Sequence, residues 1–204
     1  MELKRELVRD LLNIKAVQID PNNYFTWTSG LKSPIYCDNR LTMSYPEVRE
    51  KIAGAFAEMI EQSGLRPDVI AGCATAGIPH AAWLADRLGL PMVYVRSKPK
   101  GHGKGNQIEG NLEKGQKVLV IEDLISTGGS SIESAIALRE AGADVLAVYA
   151  IFTYGIGRSI GNFEKHQLPF DTITNFDELV AALVEAGTYT EREKASLIEW
   201  RNTL

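Results

Sequence analysis

The chain has 204 residues, of which 45% are hydrophobic, and this is enough to bury one core, so we expect a single domain over residues 1–204. A formal net charge of −4 argues against general affinity for nucleic acid, and the lack of an apolar run of about eighteen residues argues against a membrane span. Two cysteines without metal-ligand spacing and a charged N-terminus unlike a signal peptide predict a reduced, cytoplasmic setting.

Two helices and a hairpin are predicted in the N-terminal third of the chain. Leucine and valine alternate with charged residues over residues 2–12, which is the pattern of an amphipathic helix. Residues 25–38 indicate two short strands around a Ser29-Gly30 turn. A second helix begins at Pro46, because proline is favoured in the first turn, and ends at Gly64.

A loop of small residues follows the next predicted strand, residues 68–73. Residues 74–79 are Ala-Thr-Ala-Gly-Ile-Pro and precede a predicted helix over residues 81–88. Side chains this small let a backbone approach a ligand closely, although they also allow a strand to pack tightly against a helix. Both interpretations stay open at this point. His80 lies at the start of the helix and is interpreted as structural.

A basic loop, residues 96–106, follows the predicted strand over residues 91–95. It carries four lysine or arginine residues, His102 and three glycines, and it contains no acid. Such a segment is costly to order by itself. A charge run of this kind is usually a solvated surface. It also suits a lid that closes over a pyrophosphate, because the charge of the ligand offsets the cost of ordering.

The most informative stretch is residues 117–130. Residues 118–121 are apolar and mostly β-branched, which predicts a strand that is buried on both faces and ends there. Glu122 and Asp123 follow, and Ser-Thr-Gly-Gly-Ser at 126–130 then opens a predicted helix. The free N–H groups of such a turn favour a phosphate, whereas two adjacent carboxylates favour a pair of hydroxyls. Together they predict a site for a ribose 5-phosphate.

Apolar strands near residues 68, 92, 118 and 145, with helices between most of them, predict an open, mainly parallel α/β sheet flanked by helices. The last predicted strand is 144–152, and the tail contains predicted helices over 176–186 and 191–202. Ligands bind to such sheets beyond the carboxyl ends of the strands. The loops 73–79, 96–106 and 122–130 are all expected at such ends.

Residues 118–130 resemble the signature with which type I phosphoribosyltransferases bind phosphoribosyl pyrophosphate (PRPP), namely four apolar residues, two acids and a loop ending Thr-Gly-Gly-Ser. The resemblance implies that the acids hold the ribose hydroxyls, that the turn binds the 5-phosphate, and that the small-residue loop meets the pyrophosphate. The PRPP-binding residues that it implies are Thr75, Ala76, Gly77, Arg96, Lys100, His102, Glu122, Asp123, Leu124, Ile125, Ser126, Thr127, Gly128, Gly129 and Ser130.

A second motif, Phe-Thr-x-x-Ser-Gly-x-x-Ser-Pro-x-Tyr at residues 25–36, is similar to one near the start of the orotate phosphoribosyltransferases. That resemblance implies the conversion of orotate and PRPP to orotidine 5-monophosphate and pyrophosphate, a step of UMP synthesis. It implies a small hood, about residues 1–40 with part of the C-terminal tail, over a core of about 45–160. The orotate-binding residues that it implies are Thr28, Tyr36, Cys37 and Ser126.

The same resemblance implies a homodimer in which the basic loop reaches the neighbouring active site. Its Arg96, Lys100 and His102 would be the catalytic residues that act on the departing pyrophosphate. Mg²⁺ would be held mainly by PRPP and water, with no dedicated set of protein ligands.

The sequence departs from the enteric-type pattern at Thr28, Ala76, Ser97 and Tyr154, where those relatives carry a lysine or an arginine. How the orotate carboxylate is held is therefore open. The alternatives are a phosphoribosyltransferase for another base, a PRPP-sensing regulator on the same fold, and a structural domain with no ligand. The motif at 25–36 argues against another base, and the lack of room for a DNA-binding module argues against a regulator.

Overall fold

The computed structural model describes residues 2–26, 32–98 and 107–204 of the chain. The strands in these residues are β1 (Val17–Ile19), β2 (Phe25–Thr26), β3 (Lys32–Ser33), β4 (Ile35–Cys37), β5 (Val69–Cys73), β6 (Met92–Val95), β7 (Ile108–Glu109), β8 (Lys117–Ile125), β9 (Asp144–Thr153) and β10 (Phe170–Asn175). The helices are α1 (Glu2–Asn13), α2 (Pro46–Ser63), α3 (Gly77–Leu88), α4 (Gly129–Glu140), α5 (Gly157–Lys165), α6 (Phe176–Glu185) and α7 (Glu191–Asn202), with a 3₁₀ helix over Asn39–Ser44.

The central sheet has six strands in the order β10-β9-β8-β5-β6-β7. Each pair of neighbours is parallel except β6 and β7, which run antiparallel at one edge. Among the described residues, no helix is both long enough and apolar enough to span a bilayer. The predicted open, mainly parallel α/β architecture is confirmed.

Two apolar cores cover the two faces of the sheet. Successive side chains of a strand point to opposite faces, so Val118 and Val120 of β8 join one cluster with α4 and α5, and Leu119 and Ile121 join the other. The second cluster also contains residues from α1, α2, α3 and α6. Because β8 is buried on both faces, its sequence is a continuous apolar run rather than an alternating one.

The N-terminal segment forms small sheets of its own. β2 and β3 pair antiparallel, as the hairpin prediction required, and the turn between them lies outside the described residues. The continuation of the hairpin, β4, pairs with β1 instead, which the sequence pattern did not reveal. Whether residues 1–40 and part of the tail act as a hood remains a prediction.

Several predicted helix boundaries agree with the structure. Helix α2 begins at Pro46 and is ended by Gly64 in the left-handed conformation (φ 70°), a conformation that costs glycine little. Helix α7 has the predicted bounds and starts with a capping box, in which Thr190 and Glu193 bind each other's backbone N–H. Both helices were predicted from local signals, and local interactions define their ends.

The prediction was wrong at three places. Strand β8 was expected to end at Ile121, but it continues to Ile125 because the long strand β9 keeps pairing with it, with Glu122 opposite Ala150. Helix α5 and strand β10 were not predicted at all. The segment of α5 is short and contains two glycines and only two apolar residues, Ile160 and Phe163, and the segment of β10 is mostly polar, so local propensity is weak in both. Contacts with the rest of the fold stabilise them instead.

Candidate active site

Three candidate loops begin at the same edge of the sheet. Strands β8, β5 and β6 are parallel neighbours, so their carboxyl ends lie side by side. The turn 126–128 follows β8, the loop 74–76 follows β5, and the basic loop follows β6. The predicted convergence of the three loops at one edge therefore holds for their described parts.

The acid pair lies at the end of β8 and is held in place by hydrogen bonds. The side chain of Glu122 is buried, and Asp123 is half-buried. Glu122 Oε1 accepts a hydrogen bond from the backbone N–H of Asp123 (3.0 Å), and its Oε2 accepts one from Ser130 Oγ (2.9 Å). The acid pair and the first turn of α4 thus form one connected unit.

Burial is the largest cause of the shifted pKa values of the acid pair. It raises the pKa of Glu122 to about 8, with the adjacent charge of Asp123 as the next cause. Burial likewise raises the pKa of Asp123, against hydrogen bonds that stabilise its charged form. Two carboxylates this close and this buried do not readily carry two negative charges together. A ligand that donates hydrogen bonds to both groups would stabilise their charged forms.

The turn after the acid pair has the geometry of an anion cradle. Gly128 has a φ of 82° and caps α4, and a side chain there would lie 2.6 Å from Phe163. Asn162 of α5 donates a hydrogen bond to the Thr127 carbonyl (2.9 Å), which fixes the turn from the other side. Gly129 and Ser130 are exposed at the helix N-terminus, where backbone N–H groups have no partner within the helix.

Leu124 and Ile125 differ from the rest of the predicted cradle. Leu124 pairs with Phe152 across the sheet, and the side chain of Ile125 is fully buried. The Ile125 carbonyl already accepts a hydrogen bond from Thr153 Oγ1 at 3.0 Å. A PRPP contact from Ile125 is therefore confined to its main chain. Ser126 and Thr127 are half-buried, whereas Gly129 and Ser130 are exposed.

The small-residue loop is packed closely against the acid pair. A side chain at Gly77, the first residue of α3, would collide with the carbonyl oxygen of Ile121 and lie 3.2 Å from the Cα of Glu122. Thr75 is exposed and Ala76 is half-buried. Gly77 thus has a packing role, as one of the two interpretations of this loop predicts. The other interpretation, that the backbone of the loop approaches a ligand, is compatible with that role. The N-terminus of α3 lies directly beside Glu122.

The basic loop is described only at its two ends. The Arg96 backbone N–H donates to the Gln107 carbonyl (2.9 Å), and Gln107 Nε2 donates to the Arg96 carbonyl (2.7 Å). The Arg96 guanidinium lies 3.7 Å from Glu109 Oε1, and the side chain is partly exposed. The predicted catalytic residues Lys100 and His102 lie outside the described residues.

One of the residues predicted to bind the base, Cys37, lies near Asp123. Tyr36 and Cys37 end β4, and the Tyr36 ring lies 5.9 Å from that of Phe25. Burial, followed by the charges of Asp123 and Asp38, raises the pKa of the Cys37 thiol. Burial also raises the pKa of Tyr154, and charges at Cys37, Tyr36 and Asp123 contribute. Tyr154 is thus neutral and buried in this group, while Thr28 lies outside the described residues.

Sequence reasoning did not identify Asn39. Its side chain is fully buried, and its Nδ2 donates a hydrogen bond to the carbonyl oxygen of Asp123 at 2.7 Å. A lone asparagine in a polar stretch carries no motif, and 84 positions separate the two residues. His80 is buried as expected for a structural residue. Burial lowers its pKa to about 4, and its Nε2 lies 3.4 Å from Thr42 Oγ1.

The chain is similar to known proteins over nearly its whole length. A sequence profile of the phosphoribosyl transferase domain matches residues 44–174. The orotate phosphoribosyltransferase of Oceanobacillus iheyensis is 64% identical over 99% of this chain and 100% of its own length, and that of Listeria innocua is 56% identical over 98% and 96%. The crystal structure of the Aeropyrum pernix orotate phosphoribosyltransferase superposes with a TM-score of 0.77 at 29% identity, over 90% of this chain and 99% of that one.

Proposed function

Because the chain belongs to the phosphoribosyl transferase family, and within it to the orotate phosphoribosyltransferases, we propose that the cleft at the carboxyl ends of β5, β6 and β8 joins orotate to PRPP. The enzyme is a pentosyltransferase of pyrimidine biosynthesis, and the products are orotidine 5-monophosphate and pyrophosphate. The observation that carries the assignment of the cleft is the hydrogen-bonded unit of Glu122, Asp123 and Ser130, which supports a diol site beside an anion cradle.

The acid pair would hold the ribose. Each carboxyl group can accept a hydrogen bond from one of the 2- and 3-hydroxyls, and the bond is charge-assisted at the group that is ionised. The 5-phosphate would sit on the turn that follows, bound by the N–H groups of residues 127–130 and by the hydroxyls of Thr127 and Ser130. Because both contacts come from one rigid strand-to-helix connection, the sugar would be held in a single orientation.

The leaving group would be stabilised by positive charge. Breaking the anomeric C–O bond develops positive charge on the ribose and negative charge on the departing pyrophosphate, so catalysis needs cations at the latter. Arg96 and Lys100 would supply them, and His102 would donate a hydrogen bond or a proton to the same group. The main chain of the loop at Thr75, Ala76 and Gly77 would bind the pyrophosphate from the side of β5.

The base would lie between the N-terminal segment and the turn. Cys37 is close to Asp123, and Tyr36 and Asp123 are both close to Tyr154. Tyr36 and Cys37 would contact the orotate ring through their backbone. Ser126 and Thr28 would contact its polar groups. Tyr154 is neutral and buried, so it cannot replace a cation that pairs with the orotate carboxylate.

Mg²⁺ fits the chemistry of this site. Across residues 2–26, 32–98 and 107–204, no three acidic, histidine or cysteine side chains converge as in a protein metal cage. Mg²⁺ that accompanies phosphorylated substrates keeps most of its ligands as substrate oxygens and waters. Oxygens of PRPP and water would hold it, and when bound it would offset negative charge on the pyrophosphate.

The basic loop would act as a lid on the active site of a second subunit, which makes the functional unit a homodimer. An excess of positive charge at 96–106 in an acidic chain supports a role in binding polyanions, and β6 presents its beginning at the edge of the sheet that carries the other loops. The expected cytoplasmic location is compatible with two free cysteines, Cys37 and Cys73.

The decisive test is an absorbance assay of orotate consumption with PRPP and Mg²⁺, run beside uracil, adenine, hypoxanthine and xanthine. Orotate should be consumed at least about a hundredfold faster than any other base, since a site built for its polar groups rejects analogues that lack them. Faster turnover of another base would reassign the acceptor while leaving the PRPP site intact. Failure to turn over any base would contradict the proposal.

A further inference from the structure

An asparagine outside every motif is hydrogen-bonded to the acid pair. Asn39 is the first residue of the 3₁₀ helix that follows β4, and it is completely buried. Its Nδ2 donates to the main-chain carbonyl of Asp123 at 2.7 Å. A buried amide at this distance forms a strong, well-ordered hydrogen bond, and its loss would leave a buried carbonyl without that donor.

At this point of the sheet, the side chain of Asn39 donates the hydrogen bond that a neighbouring strand would otherwise supply. β5 pairs with β8 from Val69 opposite Val118 to Gly72 opposite Ile121. Farther along β8, pairing continues only with β9, on the other side. The Asp123 carbonyl thus lies where the strand-to-strand ladder toward β5 has ended, and the amide of Asn39 supplies the donor there.

Asn39 is itself fixed by a neighbour. Thr42 Oγ1 donates to the main-chain carbonyl of Asn39 at 2.6 Å, and the same hydroxyl lies 3.4 Å from Nε2 of His80 in α3. Helix α3 starts at the small-residue loop. One short chain of contacts therefore connects the end of β4, the acid pair and the helix that follows the proposed pyrophosphate loop.

We propose that Asn39 is a positioning residue that sets the distance between the base site and the ribose site. Two positions before it, Cys37 ends the strand proposed to contact orotate, and its hydrogen-bond partner is one of the acids proposed to hold the ribose. The bond therefore determines how far the attacking nitrogen of orotate lies from the anomeric carbon. This inference rests on the proposed function of the cleft.

A positioning role predicts a particular kinetic signature. An error of about 1 Å in the placement of two reactants can cost about a hundredfold in rate, whereas the contacts that bind each substrate separately persist. Removing the amide should thus lower kcat much more than it weakens the binding of either substrate alone. A residue that only stabilises the fold would lower the melting temperature and leave kcat of the folded enzyme unchanged.

The test compares Asn39→Leu, which keeps the branched shape and the number of heavy atoms and removes the donor, with Asn39→Ala, which removes the donor without adding volume. Kinetics would give kcat with orotate and PRPP, and calorimetry would give the Kd of each substrate alone. The matched control is Ser159→Ala, which removes another buried side-chain hydrogen bond to a main-chain carbonyl (2.8 Å, to Ile156) in a helix that carries none of the proposed site residues.

We expect both Asn39 variants to lose about tenfold or more in kcat with each Kd within about threefold of wild type, and the control to keep its kcat. A kcat within twofold of wild type, or a PRPP Kd that rises as much as kcat falls, would overturn the inference. If both variants fail to fold, Thr42→Val removes the hydroxyl that binds the main-chain carbonyl of Asn39 and contacts His80, and an unchanged kcat there would overturn the inference. Wild-type turnover of orotate is measured first, so failure of the proposed function is seen separately.

Discussion

The hydroxyl of Ser130 donates its hydrogen bond to Oε2 of Glu122 over 2.9 Å, which connects the proposed phosphate turn to the proposed diol site. A serine hydroxyl has one proton to donate, so it cannot serve Glu122 and a bound phosphate at once. When a phosphate accepts that proton, Glu122 loses a donor, and a ribose hydroxyl can supply the replacement. The two halves of the proposed PRPP site would thereby be linked.

This link predicts non-additive effects in a double-mutant cycle of Ser130→Ala and Glu122→Ala, each of which removes one partner of the Ser130–Glu122 hydrogen bond. Each single variant should weaken PRPP binding. The double variant should lose about 1 kcal/mol more than the two losses added together, because wild type must break the Ser130–Glu122 bond to bind and the Ser130→Ala background need not.

Calorimetric PRPP affinities of the four proteins would measure the coupling. Ser131→Ala is the control, since the neighbouring Ser131 hydroxyl is bonded to the Gly128 carbonyl (3.1 Å) rather than to Glu122. Losses that add within about 0.5 kcal/mol would show that the two halves bind independently.

The raised pKa of Glu122 predicts how stability varies with pH. Its pKa is about 8 in the folded protein against 4.5 ordinarily, so the folded state holds more protons than the unfolded state between those values. The stabilisation is fully present below about pH 4.5 and is lost as the pH rises through about 8. The free energy of unfolding should therefore contain a component that falls over this range.

Urea unfolding at a series of pH values would measure that component, and Glu122→Gln should reduce it. The exposed carboxylate of Glu133 on α4 offers a matched control, because Glu133→Gln makes the same change in charge away from the acid pair. Identical pH dependences for Glu122→Gln and wild type would contradict a shifted carboxyl at this position.

A shared lid predicts that two inactive variants restore each other. Lys100→Ala should lower kcat by orders of magnitude without unfolding the protein, since it removes a cation at the leaving group. Asp123→Ala should weaken PRPP binding. A hybrid dimer of the two variants pairs one intact acid pair with one intact lid from the other chain, so mixing them should recover up to about a quarter of the wild-type activity per total subunit.

The recovery would be read from turnover after the chains are mixed under mild dissociating conditions, with hybrid formation checked by mass spectrometry on a tagged chain. Mixtures of Lys100→Ala with itself are the control. Confirmed hybrids with no recovered activity would restrict the lid to its own subunit.

Close packing at Gly77 predicts a large effect from one added methyl group. A side chain there collides with the Ile121 carbonyl and lies 3.2 Å from the Glu122 Cα, so Gly77→Ala must shift the main chain that carries the acid pair. We expect a loss of about 1–3 kcal/mol in stability and weaker PRPP binding.

Gly161→Ala is the matched control for this change. Gly161 lies in α5, and a side chain there meets nothing within 4 Å, so alanine should stabilise the helix by up to about 1 kcal/mol. Thermal denaturation and PRPP titration of both variants would distinguish the two outcomes. Wild-type stability in Gly77→Ala would mean that β8 and α3 separate at little cost.

Local sequence was sufficient wherever a structural feature is made by neighbouring residues. Pro46 and Gly64 delimit α2, and the apolar run of β8 with the acids and turn that follow it is contiguous in the chain. Helix α5 and strand β10 were missed because their propensities are weak, and packing against α4 and β9 decides them. The pairing of β4 with β1 was also not predicted, because it joins segments that are separated in the chain by the β2–β3 hairpin.

By itself, the sequence determined the chemical groups of the proposed site: two acids, which lie near the end of β8, the hydroxyl- and glycine-rich turn after that strand, and the basic loop after β6. Only the tertiary structure decided which groups meet. Burial raises the pKa of Glu122, and Asn39 reaches the Asp123 carbonyl across 84 positions. The reason is physical, since composition and short-range order are properties of adjacent residues, whereas desolvation and long-range hydrogen bonds exist only once the chain has packed.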